Sequence, residues 1–175
     1  MDSVIFFENT SQNNCLCAGD NYPLFLDYAF DVADFFMLVY VNYYGNGYSA
    51  IMKKFKKELK PFQVKTRTDP HWPGTPFTYC LNTTYKIVFY RTDIKAKAIL
   101  KKVNALNDWS CPHYPQDLAF FKGNICWFYS VGHENIAAVL RPTNDDFEFL
   151  ESHQLAHRAN AKKLSDYYSQ FDEQF

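Results

Sequence analysis

His133 and Glu134 stand side by side after Gly132, and Asp117 precedes them on the same stretch of chain. A histidine titrates near neutral pH, a neighbouring carboxylate can orient it, and a second carboxylate can share the proton. Those three residues, with Trp72 and Trp109 as apolar walls, are the combination that a small hydrolase or transferase would use. The competing reading is structural: His133 and Glu134 at a turn can cap it through hydrogen bonds. Both readings stay open on sequence alone.

Other residue sets are chemically weaker. Cys111, His113, Cys126 and His133 make a formal Cys₂His₂ set, but their spacings fit no zinc-finger pattern, and Cys126 should alternate away from Ile125 and Trp127 on a strand. Cys111 lies in a turn-rich segment, yet a nucleophilic cysteine also needs a base within hydrogen-bond reach and a third group to orient it. His153 and His157 are four apart, as two metal ligands on a helix would be; Gln154 stands where a zinc protease carries Glu, and only Glu151 is nearby as a third ligand. Cys15 and Cys17 supply two soft donors where zinc normally takes four. No glycine-rich phosphate loop, nucleophile elbow or deaminase signature is present. The expectation is therefore no metal and no cofactor.

The elements that must position these residues can be read from periodicity. Ser3–Phe7 reads as a short strand and 8–21 as a polar loop. The apolar run 22–42 reads as one helix, with Pro23 near its start and Asp27, Asp31 and Asp34 along one stripe. That stripe is either a solvated face or a contact for a basic partner. Residues 48–60 form an amphipathic helix burying Tyr48, Ile51, Met52, Phe55 and Leu59; Lys53, Lys54, Lys56, Lys57 and Lys60 read as its solvated side.

Residues 65–78 read as a loop fixed by Pro70, Pro73, Gly74 and Pro76 around His71 and Trp72. A strand over 79–91 and a helix over 93–107 follow, the latter capped by Thr92 or Asp93 and burying Ile94, Ala98, Ile99, Val103 and Leu106. Leu118–Lys122 and Ile125–Val131 flank Gly123-Asn124, good hairpin chemistry, and Asn135–Arg141 makes a third strand. Thr143 or Asn144 caps a helix over 144–157 whose first turn holds Asp145, Asp146 and Glu148, and a last helix covers 159–171.

The chain's 175 residues suit one domain. Seventeen Phe, thirteen Tyr and three Trp promise a heavily aromatic core or interface, and a formal charge of −1 gives no global reason to expect nucleic acid or a membrane surface. The N-terminus lacks a basic region and cleavable apolar stretch, and the longest apolar run, Phe35–Val41, is too short to span a bilayer. Five cysteines without a pairing pattern read as reduced thiols, hence a cytoplasmic protein.

Several of these residues also recur together elsewhere. Trp72-Pro73-Gly74-Thr75, Asp108-Trp109, the run Tyr114–Phe121, Cys126-Trp127-Phe128 and His133-Glu134 resemble the pattern of a family of small bacterial cytoplasmic proteins of uncharacterised activity. That family carries a Trp-Pro-Gly-Thr loop, a Pro-Glu-Asp-Leu segment, a Trp strand and a His-Glu pair. The likeness spans roughly residues 55–150, with Gln116 where the pattern has Glu. It implies recurrence of the motif and no particular chemistry.

The expectation is a single α+β domain over 1–175, with an antiparallel sheet, a meander at about 117–141, and helices packed mainly on one face. Functionally, a non-enzymatic interaction protein of the immunity or antitoxin kind leads. It would mask a partner protein such as a basic toxin through Asp27, Asp31, Asp34, Trp72 and Trp109, with further acid at Asp145, Asp146 and Glu148. The alternative is the small hydrolase or transferase at His133, Glu134 and Asp117.

Overall fold

Strand-forming stretches dominate the chain, and the structure, a computed structural model, describes residues 2–8, 16–42, 45–75 and 84–167. The strands are β1 (Ser3–Phe6), β2 (Phe35–Asn42), β3 (Gln63–Thr68), β4 (Thr84–Arg91), β5 (Gln116–Lys122), β6 (Ile125–Val131), β7 (Ile136–Leu140) and β8 (Lys162–Lys163). The helices are α1 (Asn21–Val32), α2 (Ala50–Leu59), α3 (Ile94–Leu100) and α4 (Asn144–Ser152). All eight strands join one sheet in the order β3-β4-β2-β5-β6-β7-β1-β8, and every neighbouring pair is antiparallel. The α+β class and the β5–β6–β7 meander are as expected, with Gly123 supplying the positive φ that the hairpin turn requires.

Alternation along each strand builds two apolar layers. Phe36, Leu38 and Tyr40 of β2 point to one side, where residues of all four helices pack: Tyr22 and Phe25, Met52 and Phe55, Leu100, Phe147 and Leu150. Met37, Val39 and Val41 point to the other, against Trp72 and Leu164. The helix side is strongly aromatic, with Phe25 and Phe128 centroids 4.6 Å apart and Tyr28 stacked on Phe149 at 4.1 Å. The fully buried rings of Phe25 and Phe128 each contribute roughly 1.5–3 kcal/mol relative to exposure.

Five expected elements are corrected. The run 22–42 is not one helix: α1 stops at Val32, and the remainder is β2, central in the sheet and covered on both faces. A strand buried on both sides has no polar alternation, so its sequence looks like a buried helix. The break is fastened by Thr92, whose N–H donates to Asp34 O and whose hydroxyl donates to Ala33 O at 2.8 Å. The supposed loop at 65–78 begins as β3, an edge strand whose residues are mostly exposed and so lack an apolar period. Residues 76–83 lie outside the described residues.

The helix over 93–107 is only α3, and Ile94, expected inside, is 72% exposed. Ile51 of α2 is likewise exposed. The helix over 144–157 ends at Ser152. In place of a helix at 159–171 there is a 3-10 turn Arg158–Asn160, then β8, then a 3-10 turn Leu164–Tyr167; residues 168–171 lie outside the described residues, as does Cys15. Asp93 caps α3 by accepting from Lys95 N, and Thr143 caps α4 in a box with Asp146. Among the described residues no helix is long and apolar enough to cross a membrane.

Candidate functional site

Asp117, the second residue of β5, has φ +51 and is 1% exposed. Its backbone N–H donates to Trp109 O at 3.1 Å. Its Oδ2 accepts from Trp72 Nε1 at 2.7 Å and from Gln116 Nε2 at 3.3 Å, and its Oδ1 accepts from Gly132 N at 2.9 Å. The side chain thus ties the Trp72 turn and the Gly132 turn to the start of β5, and the backbone adds Trp109. The Trp-Pro-Gly-Thr stretch makes a closed turn that aims the indole: Thr75 Oγ1 donates to Trp72 O at 2.8 Å and accepts from Trp72 N at 3.1 Å.

Two glycines permit the close approach. A Cβ on Gly74, at φ +86, would sit 2.3 Å from the Tyr129 ring, and one on Gly132 would sit 2.4 Å from Trp109 O. Burial pushes the Asp117 carboxyl up to about 6, although the Trp72 indole, the Gly132 amide, the nearby His133 charge and Gln116 all favour the ionised form. Desolvation wins.

His133 and Glu134 occupy a 3-10 turn directly beyond Gly132. Their side chains are 3.6 Å apart and 48% and 56% exposed. The donors to the Asp117 carboxylate are Trp72, Gln116 and Gly132, and His133 reaches it through charge rather than a hydrogen bond. The expected triad is therefore split: a sealed carboxylate behind, an exposed imidazole–carboxylate pair in front. Trp72 and Trp109, expected at a partner surface, are 2% and 0% exposed. The Trp109 indole donates to Tyr22 Oη, whose hydroxyl donates to Leu100 O.

The acidic stripe is reduced to Asp27 and Asp31, which keep their spacing on α1. Asp27 is bracketed by Lys97 at 2.9 Å and Lys101 at 2.7 Å, whose hydrogen bonds hold its carboxyl low. Asp31 stays exposed near the end of α1. Asp34, off the helix, accepts from Gly123 N at 2.7 Å at the β5–β6 turn. Asp146 is fully buried, accepting from Tyr28 Oη at 2.8 Å and from Thr143 N at 2.7 Å. Its carboxyl is held low despite burial, the Thr143 and Tyr28 hydrogen bonds outweighing desolvation. Only Asp145 and Glu148 of that second acidic group face solvent.

The metal and nucleophile sets fare no better. His153 caps the end of α4, its Nδ1 2.8 Å from Phe149 O, while His157 lies past the helix beside Glu8. Among the described residues no three His, Cys, Asp or Glu side chains are grouped to hold a metal ion. Cys126 points into the layer opposite Trp127, as alternation required. Burial pushes the half-buried Cys111 thiol up to about 11, which leaves almost no thiolate at neutral pH.

A second grouping lies at the β3–β4 end of the sheet. Lys86 of β4 is the direct cross-strand partner of Tyr40 on β2. Lys56 of α2 places its Nζ 4.8 Å from the Tyr48 ring centroid and 6.0 Å from that of Tyr40. Lys60 donates to Gln63 Oε1 at 3.2 Å. Burial lowers the Lys56 ammonium's pKa, and the charges of Lys86 and Lys60 lower it further. Among the described residues none of these three cations has an ion pair with a carboxylate. Reading the α2 lysines as an ordinary solvated face missed this grouping because Lys86 arrives through strand pairing. A signal was nevertheless present: thirteen of eighteen Lys and Arg, but three of nineteen Asp and Glu, fall between Ala50 and Lys102. The near-zero total conceals that separation.

Comparison of the chain with family models, with curated proteins and with solved structures finds no match in any of the three.

Proposed function

We propose that the protein is a non-enzymatic interaction module, of the immunity or antitoxin kind, that binds and masks a partner protein in the cytoplasm. The observation that carries this reading is the state of Asp117: both carboxylate oxygens take internal donors and 1% of the residue reaches solvent. A general acid or base must meet a substrate proton at hydrogen-bond distance. Asp117 is turned instead toward holding the Trp72 turn on the sheet. Thiols buried at Cys17 and Cys126 are consistent with a reducing compartment. Affinity capture with the intact chain from its native host tests the role. A stoichiometric protein partner is expected, and recovery of the chain only as a free species would overturn it.

A small hydrolase or transferase is the second reading, and one observation favours it: a carboxyl raised to about 6 stands close behind an exposed imidazole. On that reading Asp117 is held at a cost to stability, so its replacement by Asn would stabilise the fold. On the first reading the same replacement destabilises it.

A further inference from the structure

We infer that the Lys56–Lys60–Lys86 cluster, between the outer side of α2 and the half-buried start of β4, is the surface on which an acidic segment of the partner protein docks. This rests on the interaction role proposed above and replaces the basic partner that an acidic stripe would have required. Among the described residues these three cations have no carboxylate paired to them, whereas Lys97 and Lys101 are compensated by Asp27 and Lys102 by Glu58 at 2.9 Å. The Lys56 ammonium lies over the Tyr48 ring and within 6.0 Å of the Tyr40 centroid, contacts that favour one place for the charge. Lys53, Lys54 and Lys57, all exposed on α2, extend the positive field outward. Such a field attracts an acidic partner and speeds its capture.

Other occupants fit less well. Single-stranded nucleic acid needs open aromatic faces for stacking, and arginine forks suit phosphate; here Tyr40 is buried and Tyr48 lies under Lys56, while Arg91 lies over Phe62 and donates to Pro61 O. Strand addition at β3 is opposed by its irregular register between Gln63 and Lys65 and by its charged residues, devices that keep sheet edges unpaired.

The test is a fluorescence-anisotropy titration of the full chain with a labelled Glu-rich peptide of roughly a dozen residues, run in parallel with a labelled single-stranded oligonucleotide of similar charge. Two variants accompany the native protein: Lys56→Gln/Lys60→Gln/Lys86→Gln, and the charge-matched Arg158→Gln/Lys162→Gln/Lys163→Gln at the opposite edge of the sheet. Lys56 and Lys86 are half-buried and the other four positions exposed, and circular dichroism confirms that each variant is folded. The expected result is salt-sensitive peptide binding that weakens about tenfold in the first variant and stays within about twofold in the second. Absence of peptide binding, equal loss in both variants, or tighter binding of the oligonucleotide would overturn the assignment. So would self-association of the native chain that disappears in the first variant. Failure here alongside successful partner capture removes this surface and leaves the interaction role standing; failure of capture removes the role itself.

Discussion

Two charged groupings at different places on one sheet behave in opposite ways. At the start of β5, Asp117 is sealed and every donor around it belongs to the chain. At the β3–β4 end, Lys56, Lys60 and Lys86 stand together without a carboxylate. The first arrangement gives the fold an internal fastening. The second costs the fold a little repulsion and leaves a field directed outward. The contrast teaches that reactive residue types packed into one stretch can serve the fold, and that like charges gathered by strand pairing become visible only in the structure.

The contrast can be broken most forcibly at the glycines around Asp117. Gly74→Ala combines a positive φ with a Cβ driven into the buried Tyr129 ring, so urea unfolding should show a loss of about 3 kcal/mol or more. Gly132→Ala, which collides with a backbone carbonyl, should fall in the same range.

The pH dependence of stability comes next. Asp117 rises from an ordinary 3.8 to about 6 on folding, so the folded state holds its proton to higher pH than the unfolded chain. This contribution to stability is full below pH 4 and is lost as the pH climbs through 6, by roughly 2–3 kcal/mol. Unfolding free energies measured between pH 4 and 7 should show that decline. Asp27 and Asp146 act in the opposite sense and at lower pH, their stabilisation disappearing as pH falls below the ordinary carboxylate range. The two windows are therefore separable.

How much of this was legible beforehand depends on where each residue's partners lie. The β5–β6–β7 meander was readable because Gly123-Asn124 and the flanking strands carry their own local chemistry. β2 was not, because burial on both faces erases the alternation that separates strand from helix. β3 was not, because an edge strand of Lys, Thr and Arg has no apolar period. Asp117 stood out as a chemical residue, but its role depended on Trp72, which is 45 positions away. The lysine cluster was hidden for the same reason: strand pairing, not sequence proximity, brings Lys86 to Lys56.

Smaller effects sharpen the comparison. Trp72→Phe removes one donor to the carboxylate and part of a buried ring, and should cost about 2 kcal/mol in denaturant titration. Lys86→Gln should change stability by less than about 0.5 kcal/mol, or raise it slightly, because it relieves repulsion and breaks no ion pair. His133→Ala, on an exposed turn, should be similarly mild.

The most direct measurement is the unfolding free energy of Asp117→Asn at pH 7 beside that of the native chain. An amide in that position turns an NH₂ toward one of two donors, Trp72 Nε1 or Gly132 N, that now meet oxygen. A net loss of about 1 kcal/mol is the expected outcome, the unpaired buried donor costing more than the removal of a desolvated charge returns. Unchanged or increased stability would contradict the account and identify Asp117 as a carboxylate held in place for chemistry.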